Sequence, residues 1–283
     1  MSLGHTVVLG ALAGFTIFLG LPLGRLRRAG PRACAALTAV ALGILLFLFW
    51  DVLALAVEPV EGALDDATRG DGGWGRFAGL ATVLAAGVAG GMLSLVCYDR
   101  WMGRQIRPTK LIGPSAAAVA EYDQRSRLAS LSPGRQLALL IATGIGVHNF
   151  GEGLAIGQSA ATGEIALAVT LIVGFGLHNA TEGFGIVGPM AGEGERPSWR
   201  FLFLLGLIGG GPTFLGAIVG REWVSDAVSV GFFAIAAGSI LFVVQELFHV
   251  TRRFGVPVLV TWALLLGLAL GFGTDFVVEA VGG

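Results

Sequence analysis

The chain has 283 residues, of which 54% are hydrophobic and only 13% are Asp, Glu, Lys or Arg, with a formal net charge of −1. A mean hydropathy of +0.79 excludes a soluble globular protein, since apolar runs this long need lipid rather than a small core to hide in. The near-neutral balance offers no polyanion-binding surface, so nucleic acid is not an expected partner.

A helical span needs roughly 20 mostly apolar residues, and no other single-chain element as apolar as these satisfies its backbone in lipid. The reading is an all-α membrane protein, a single transmembrane domain over residues 1–283 with eight spans. The first span, Thr6–Leu23, is preceded by "MSLGH", which lacks the basic n-region of a cleaved signal peptide, so it is expected to be retained. Arg25, Arg27, Arg28 and Arg32 follow it. The second span runs from Cys34 to Val57 and carries Asp51 in its outer half. Asp51 lines an entrance, hydrogen-bonds another helix or sits at the interface; the residue alone does not choose. Glu58, Glu61, Asp65, Asp66 and Asp71 then read as an acidic outer connection, a solvated linker.

The third span, Trp74–Tyr98, leads into the one long connection, residues 99–135, which carries Pro108, Gly113 and Pro114 and a short helix expected over Ser115–Arg127. The remaining spans are Gln136–Ala160, Ile165–Met190, Phe201–Gly220, Ala227–His249 and Val256–Val281, the last with Asp275 in its outer half. Of the 18 Lys and Arg, all but Arg69, Arg76 and Arg221 follow odd-numbered spans. By the positive-inside rule those connections, 99–135 included, are cytoplasmic and both termini lie outside. Cys34 and Cys97 fall near cytoplasmic helix ends, where thiols stay reduced, and read as small packing residues.

Chemistry concentrates in the fourth and fifth spans. "GIGVHNFGEGLAIG" and "GFGLHNATEGFGIV" are a local repeat, each placing His and Glu four positions apart: His148 with Glu152, and His178 with Glu182. Residues i and i+4 share a helix face. Both histidines lie equally far from Gly163, the turn between the two spans. An antiparallel hairpin about that turn brings both close to the bilayer midplane, with Glu152 towards the outside and Glu182 towards the cytoplasm, a column of polar groups. Gly144, Gly146, Gly151, Gly153 and Gly157 on one helix, and Gly174, Gly176, Gly183 and Gly185 on the other, permit close backbone approach. Ionisable groups at that depth cost several kcal/mol unless paired, hydrated or bound to a cation. Imidazole with carboxylate suits zinc, iron or manganese. The competing readings are a polar cluster that merely ties two helices, a metal-dependent intramembrane hydrolase, and a transport-impaired metal-binding membrane protein. A metalloprotease helix needs HExxH, and Asn149 stands where its glutamate belongs.

HNxxEG in the fourth span and a second His-x-x-x-Glu in the fifth, within eight spans, resemble the ZIP (Zrt-/Irt-like) family of divalent metal transporters. The resemblance implies that His148, Asn149, Glu152, His178, Asn179 and Glu182 are metal ligands, that the fourth and fifth spans form the central metal-binding hairpin, and that Glu246, in "QELFH" of the seventh span, lines the exit. It implies transport of a divalent cation, zinc first and otherwise iron, manganese or cadmium, across the plasma membrane towards the cytoplasm. In that picture a bundle holding the two spans shifts against the other helices. The metal is the transported substrate, the bilayer is the other partner, and a homodimer stays open. The chain departs from the family pattern at Gly151 and Thr181, where proline is common; glycine still permits a helix distortion, whereas Thr181 offers none. It departs again at Asn179 in place of Asp and at Gly211-Pro212 in place of Glu-Pro, so a single strong metal site is expected.

Overall fold

A computed structural model describes residues 3–25, 30–106, 131–162, 165–190, 196–223 and 225–282. It is all-helical among these residues. α1 (Leu3–Phe15) breaks at Thr16 and continues as Ile17–Gly20 and the 3-10 turn Leu21–Arg25; α2 is Pro31–Arg69, α3 Trp74–Ile106, α4 Pro133–Thr162, α5 Ile165–Val187, α6 Trp199–Glu222, α7 Asp226–Arg253 and α8 Pro257–Gly282. Seven of the eight are long and apolar enough to cross a membrane among the described residues. The eighth, α5, completes a hairpin with α4. The Gly163 turn, most of the expected 99–135 loop and its expected helix Ser115–Arg127 lie outside the described residues, while Asp99–Ile106 belongs to α3.

Local chemistry explains the helix ends. Pro31 opens α2 at a position that needs no N–H, and Gly70 closes it at φ +84, its N–H bonded to the Asp66 carbonyl. The break in α1 follows from competition for one carbonyl. Ala13 O accepts from Thr16 Oγ1 at 2.6 Å and from Asn179 Nδ2 at 3.1 Å, which draws it away from the helical ladder.

The expected acidic linker after the second span is helix instead. α2 runs on to Arg69, and only Gly70–Gly73 separates it from α3. Val60, Ala63 and Ala67 repeat at helical spacing and are buried, Val60 and Ala63 packing with Leu80 and Val230. That stripe holds the extension, while the carboxylates take the opposite, wet face. Arg76 adds a polar bracket, reaching Asp66 at 3.0 Å and Asp226 of α7 at 2.7 Å.

The helices sort into two sets of four. α1, α4, α5 and α6 pack on one another, and α2, α3, α7 and α8 do likewise; α7 against α4, with α2 and α8 against α5, joins the sets. Inside each set glycines let backbones interlock. A Cβ on Gly153 would strike the Thr213 carbonyl, one on Gly216 the Phe150 carbonyl, one on Gly238 the Val88 carbonyl and one on Gly267 the Val40 carbonyl. Between the sets the nearest neighbours are side chains. A Cβ on Gly151 would meet Phe233 Cδ1 at 3.4 Å and one on Gly185 Ala41 Cβ at 3.4 Å, while one on Gly144 would strike the end of the Val243 side chain at 2.5 Å. Backbone knobs seated in glycine hollows resist sliding more than contacts with side-chain ends, which can turn aside.

Candidate metal centre

α4 is the most enclosed of the seven candidate spans among the described residues, with 78% of its most apolar stretch buried. A helix buried on every side must satisfy its polar residues with protein groups or a bound cation. His148, Asn149 and Glu152 on α4, and His178, Asn179 and Glu182 on α5, are all buried, none more than 7% exposed.

The two pairs cross. Glu152 Oε1 lies 3.1 Å from Nε2 of His148 on its own helix and is bonded to Nε2 of His178 on α5. His148 Nε2 is 3.5 Å from Glu182 Oε1. Glu152 thus reaches both imidazoles and His148 lies near both carboxylates, with the ring centroids 6.4 Å apart. The four side chains converge in a compact knot.

The asparagines use their N–H groups to grip neighbouring helices. Asn149 Nδ2 donates to Glu182 Oε2 at 3.2 Å and to the Gly209 carbonyl of α6 at 3.0 Å, and Asn179 Nδ2 donates to Ala13 O of α1. Left without hydrogen-bond partners are Asn149 Oδ1, Asn179 Oδ1, Glu152 Oε2 and His148 Nδ1, while His148 Nε2 and Glu182 Oε1 have only their ion-pair contacts. Buried acceptors in this number are costly unless something positive sits among them. Donor atoms of His148, Glu152 and His178 lie within 4.8 Å of one another, a group fit to hold a metal ion. The 3.1 and 3.5 Å His148–carboxylate separations bracket the edge of about 3.4 Å expected for a tetrahedron with bonds of about 2.1 Å.

The Gly209 and Ala13 carbonyls are parts of the site that the sequence reading missed. Pro212 was the available signal for the first: it supplies no N–H to the ladder, which weakens α6 around Ile208 and Gly209. Thr181 also corrects its reading. Its Oγ1 donates to the His178 carbonyl at 2.7 Å, a back-bond that competes with the ladder and bends helices. Gly211 does not face the knot. A Cβ there would meet only Leu207 of its own helix, at 3.5 Å, on a flank shared with exposed Leu207 and Leu215.

Asp51, on α2 in the other set, is half-buried and interacts electrostatically with His178, with His148 and Glu152, and with Asp275 of α8. It is outside the His148, Glu152, His178 group. Glu246 is half-buried on α7 and likewise outside it. His249 is exposed, with Nδ1 2.9 Å from the Gln245 carbonyl, and supplies no third imidazole to the knot.

Residues 108–274 match the family described as ZIP Zinc transporter. No curated protein matches the chain.

Proposed function

Because the chain belongs to the ZIP zinc transporter family, we propose that it carries a divalent transition metal through the His/Asn/Glu knot, with zinc as the favoured cargo ahead of iron, manganese and cadmium. Members of this family are transporters rather than enzymes. The observation that carries the proposal is the set of buried, unpartnered donors around His148, Glu152 and Glu182. Nitrogen and carboxylate oxygen from two helices are the ligands a small dication exchanges for its water.

His148, Glu152 and His178 are assigned as direct ligands, Glu182 as a further carboxylate, and Asn149 and Asn179 as amides whose buried oxygens are left to donate to the ion. Asp51 and Asp275, a carboxylate pair on the other set, receive the ion from outside, and Glu246 lines its departure towards the cytoplasm. Alternating access is a displacement of the set α1, α4, α5 and α6 against α2, α3, α7 and α8. The interlocked glycines within sets and the side-chain contacts between them support that division. The arginine asymmetry supports both termini outside.

Zinc uptake into proteoliposomes tests this. The wild type accumulates zinc, and His148→Ala and Glu152→Ala do not. Uptake that persists in both variants overturns the site. Binding without uptake by the wild type identifies the transport-impaired reading. Substrate cleavage without uptake identifies a hydrolase.

A further inference from the structure

On the outer flank of the α1–α6 pair, at the end carrying the α1–α2 connection, lies a cavity of about 460 Å³ lined among others by Phe18, Leu21, Leu202, Phe203, Trp199 and Arg200. Its body is apolar and open to the lipid side: Phe203 is 60% and Trp199 61% exposed. Phe18 and Phe203 pack at 5.7 Å between ring centroids to form its floor. Its rim is cationic. Arg200 lines it directly and has no described hydrogen-bond or ion-pair partner. Arg25 stands behind Trp199 of the lining, with its guanidinium 4.6 Å over the Trp199 ring and Nη1 bonded to the Pro197 carbonyl. Those two contacts leave further N–H groups of its five-donor fork to donate.

We propose that this cavity is a binding site for one anionic phospholipid. Its phosphate is seated between Arg200 and Arg25, and one acyl chain lies along Phe18, Leu21, Leu202 and Phe203. Three features select that occupant. The apolar body sits one to two turns inside the helix ends, where acyl carbons begin. The positive rim sits at the ends themselves, at headgroup depth, and the start of α6 adds the positive end of its dipole. Trp199 is an amphipathic ring at the boundary between the two, the usual place for interfacial tryptophan. A zwitterionic headgroup brings its own cation against the arginines and gains less. The arginine asymmetry puts this end in the cytoplasmic leaflet, where anionic lipids concentrate.

Native mass spectrometry of the full chain released from detergent tests this with phosphatidylglycerol and phosphatidylcholine of identical acyl chains. The wild type retains one phosphatidylglycerol in preference to phosphatidylcholine. Arg200→Gln, an exposed change that leaves the fold intact, lowers phosphatidylglycerol retention about fivefold, the worth of one arginine against anionic lipid, and leaves phosphatidylcholine unchanged. Trp199→Ala weakens both lipids. Equal retention of the two lipids by the wild type overturns the proposal, as does a preference that Arg200→Gln does not reduce. Displacement of the lipid by glycerol phosphate overturns it too, because it marks a site for a free anion with no role for the chains.

Discussion

Glu152 and His178 meet across the α4–α5 hairpin, although they are 26 positions apart and each has its expected partner one turn away on its own helix. Glu152 is thereby shared by two imidazoles and is the hub of the knot. Glu152→Gln keeps the shape and removes the charge, and zinc affinity is expected to fall by more than about 100-fold, the upper end of what an outer-sphere partner costs. Titration calorimetry on folded protein checks this, and affinity within tenfold of wild type, about 1.4 kcal/mol, removes Glu152 from the ligand set.

Asn149 holds Glu182 by Oε2 and leaves Oε1 facing His148. Asn149→Ala releases that carboxylate, and metal affinity is expected to drop by about 10–100-fold, as for loss of an orienting partner. Zinc competition against a chelator dye reads the change.

At Asn179 the family's aspartate is not an improvement. An aspartate sets oxygen against the Ala13 carbonyl, where the amide now donates at 3.1 Å. Asn179→Asp is expected to cost about 1–3 kcal/mol of stability through the lost donor, seen as a lower unfolding temperature in detergent. Gly211→Glu, pointing along Leu207, is expected to leave zinc binding unchanged by calorimetry; a gain in affinity contradicts the placement of that position.

Zinc binding requires neutral imidazoles, whose ordinary pKa is about 6.5. Acidification protonates them, so affinity falls as pH decreases and is restored as it rises. Between about pH 8 and about pH 5, binding isotherms are expected to weaken steadily. His148→Ala, retaining one ring of the pair, flattens that dependence, and an unchanged slope speaks against His148 as a ligand.

Two neighbouring glycines separate the two kinds of contact. Gly153→Ala drives a methyl into the Thr213 carbonyl and is expected to cost about 1–3 kcal/mol. Gly151→Ala meets Phe233 and Ala236 at ordinary distances, 3.4 and 3.6 Å, and is expected to fold with a change within about 0.5 kcal/mol. Thermal unfolding of the two variants side by side decides it.

Much of the bundle is legible in the sequence because lipid imposes one rule on every span. Pro133 and Pro257 open α4 and α8 within a few residues of the expected starts at Gln136 and Val256. The repeated His-Asn-x-x-Glu was legible for the same reason: charge in such a setting needs a cause. The end of α2 was not. Glu58 and Glu61 look solvated one by one, and only the packing of Val60 and Ala63 on Leu80 of α3 and Val230 of α7 turns them into one wet side of a helix. The sharing of Glu152 was hidden too, because i, i+4 spacing pairs each glutamate with the histidine of its own helix and says nothing of the contact across the hairpin. Asn149 and Asn179 looked like ligands alone, and their grip on α6 and α1 needed coordinates.

At 39 residues, α2 is roughly 58 Å long at 1.5 Å per residue, about twice the hydrocarbon thickness of roughly 30 Å. Its surplus turns, buttressed by α3 and bolted to α7 through Arg76, make a stiff mast in place of a floppy acidic flap. The carboxylates on that mast cannot fold over the mouth of the pathway to gather cations. They offer instead a fixed epitope: if the proposed displacement of the two helix sets holds, an antibody fragment clasping residues 58–69 grips the set of α2, α3, α7 and α8 and leaves the other set free.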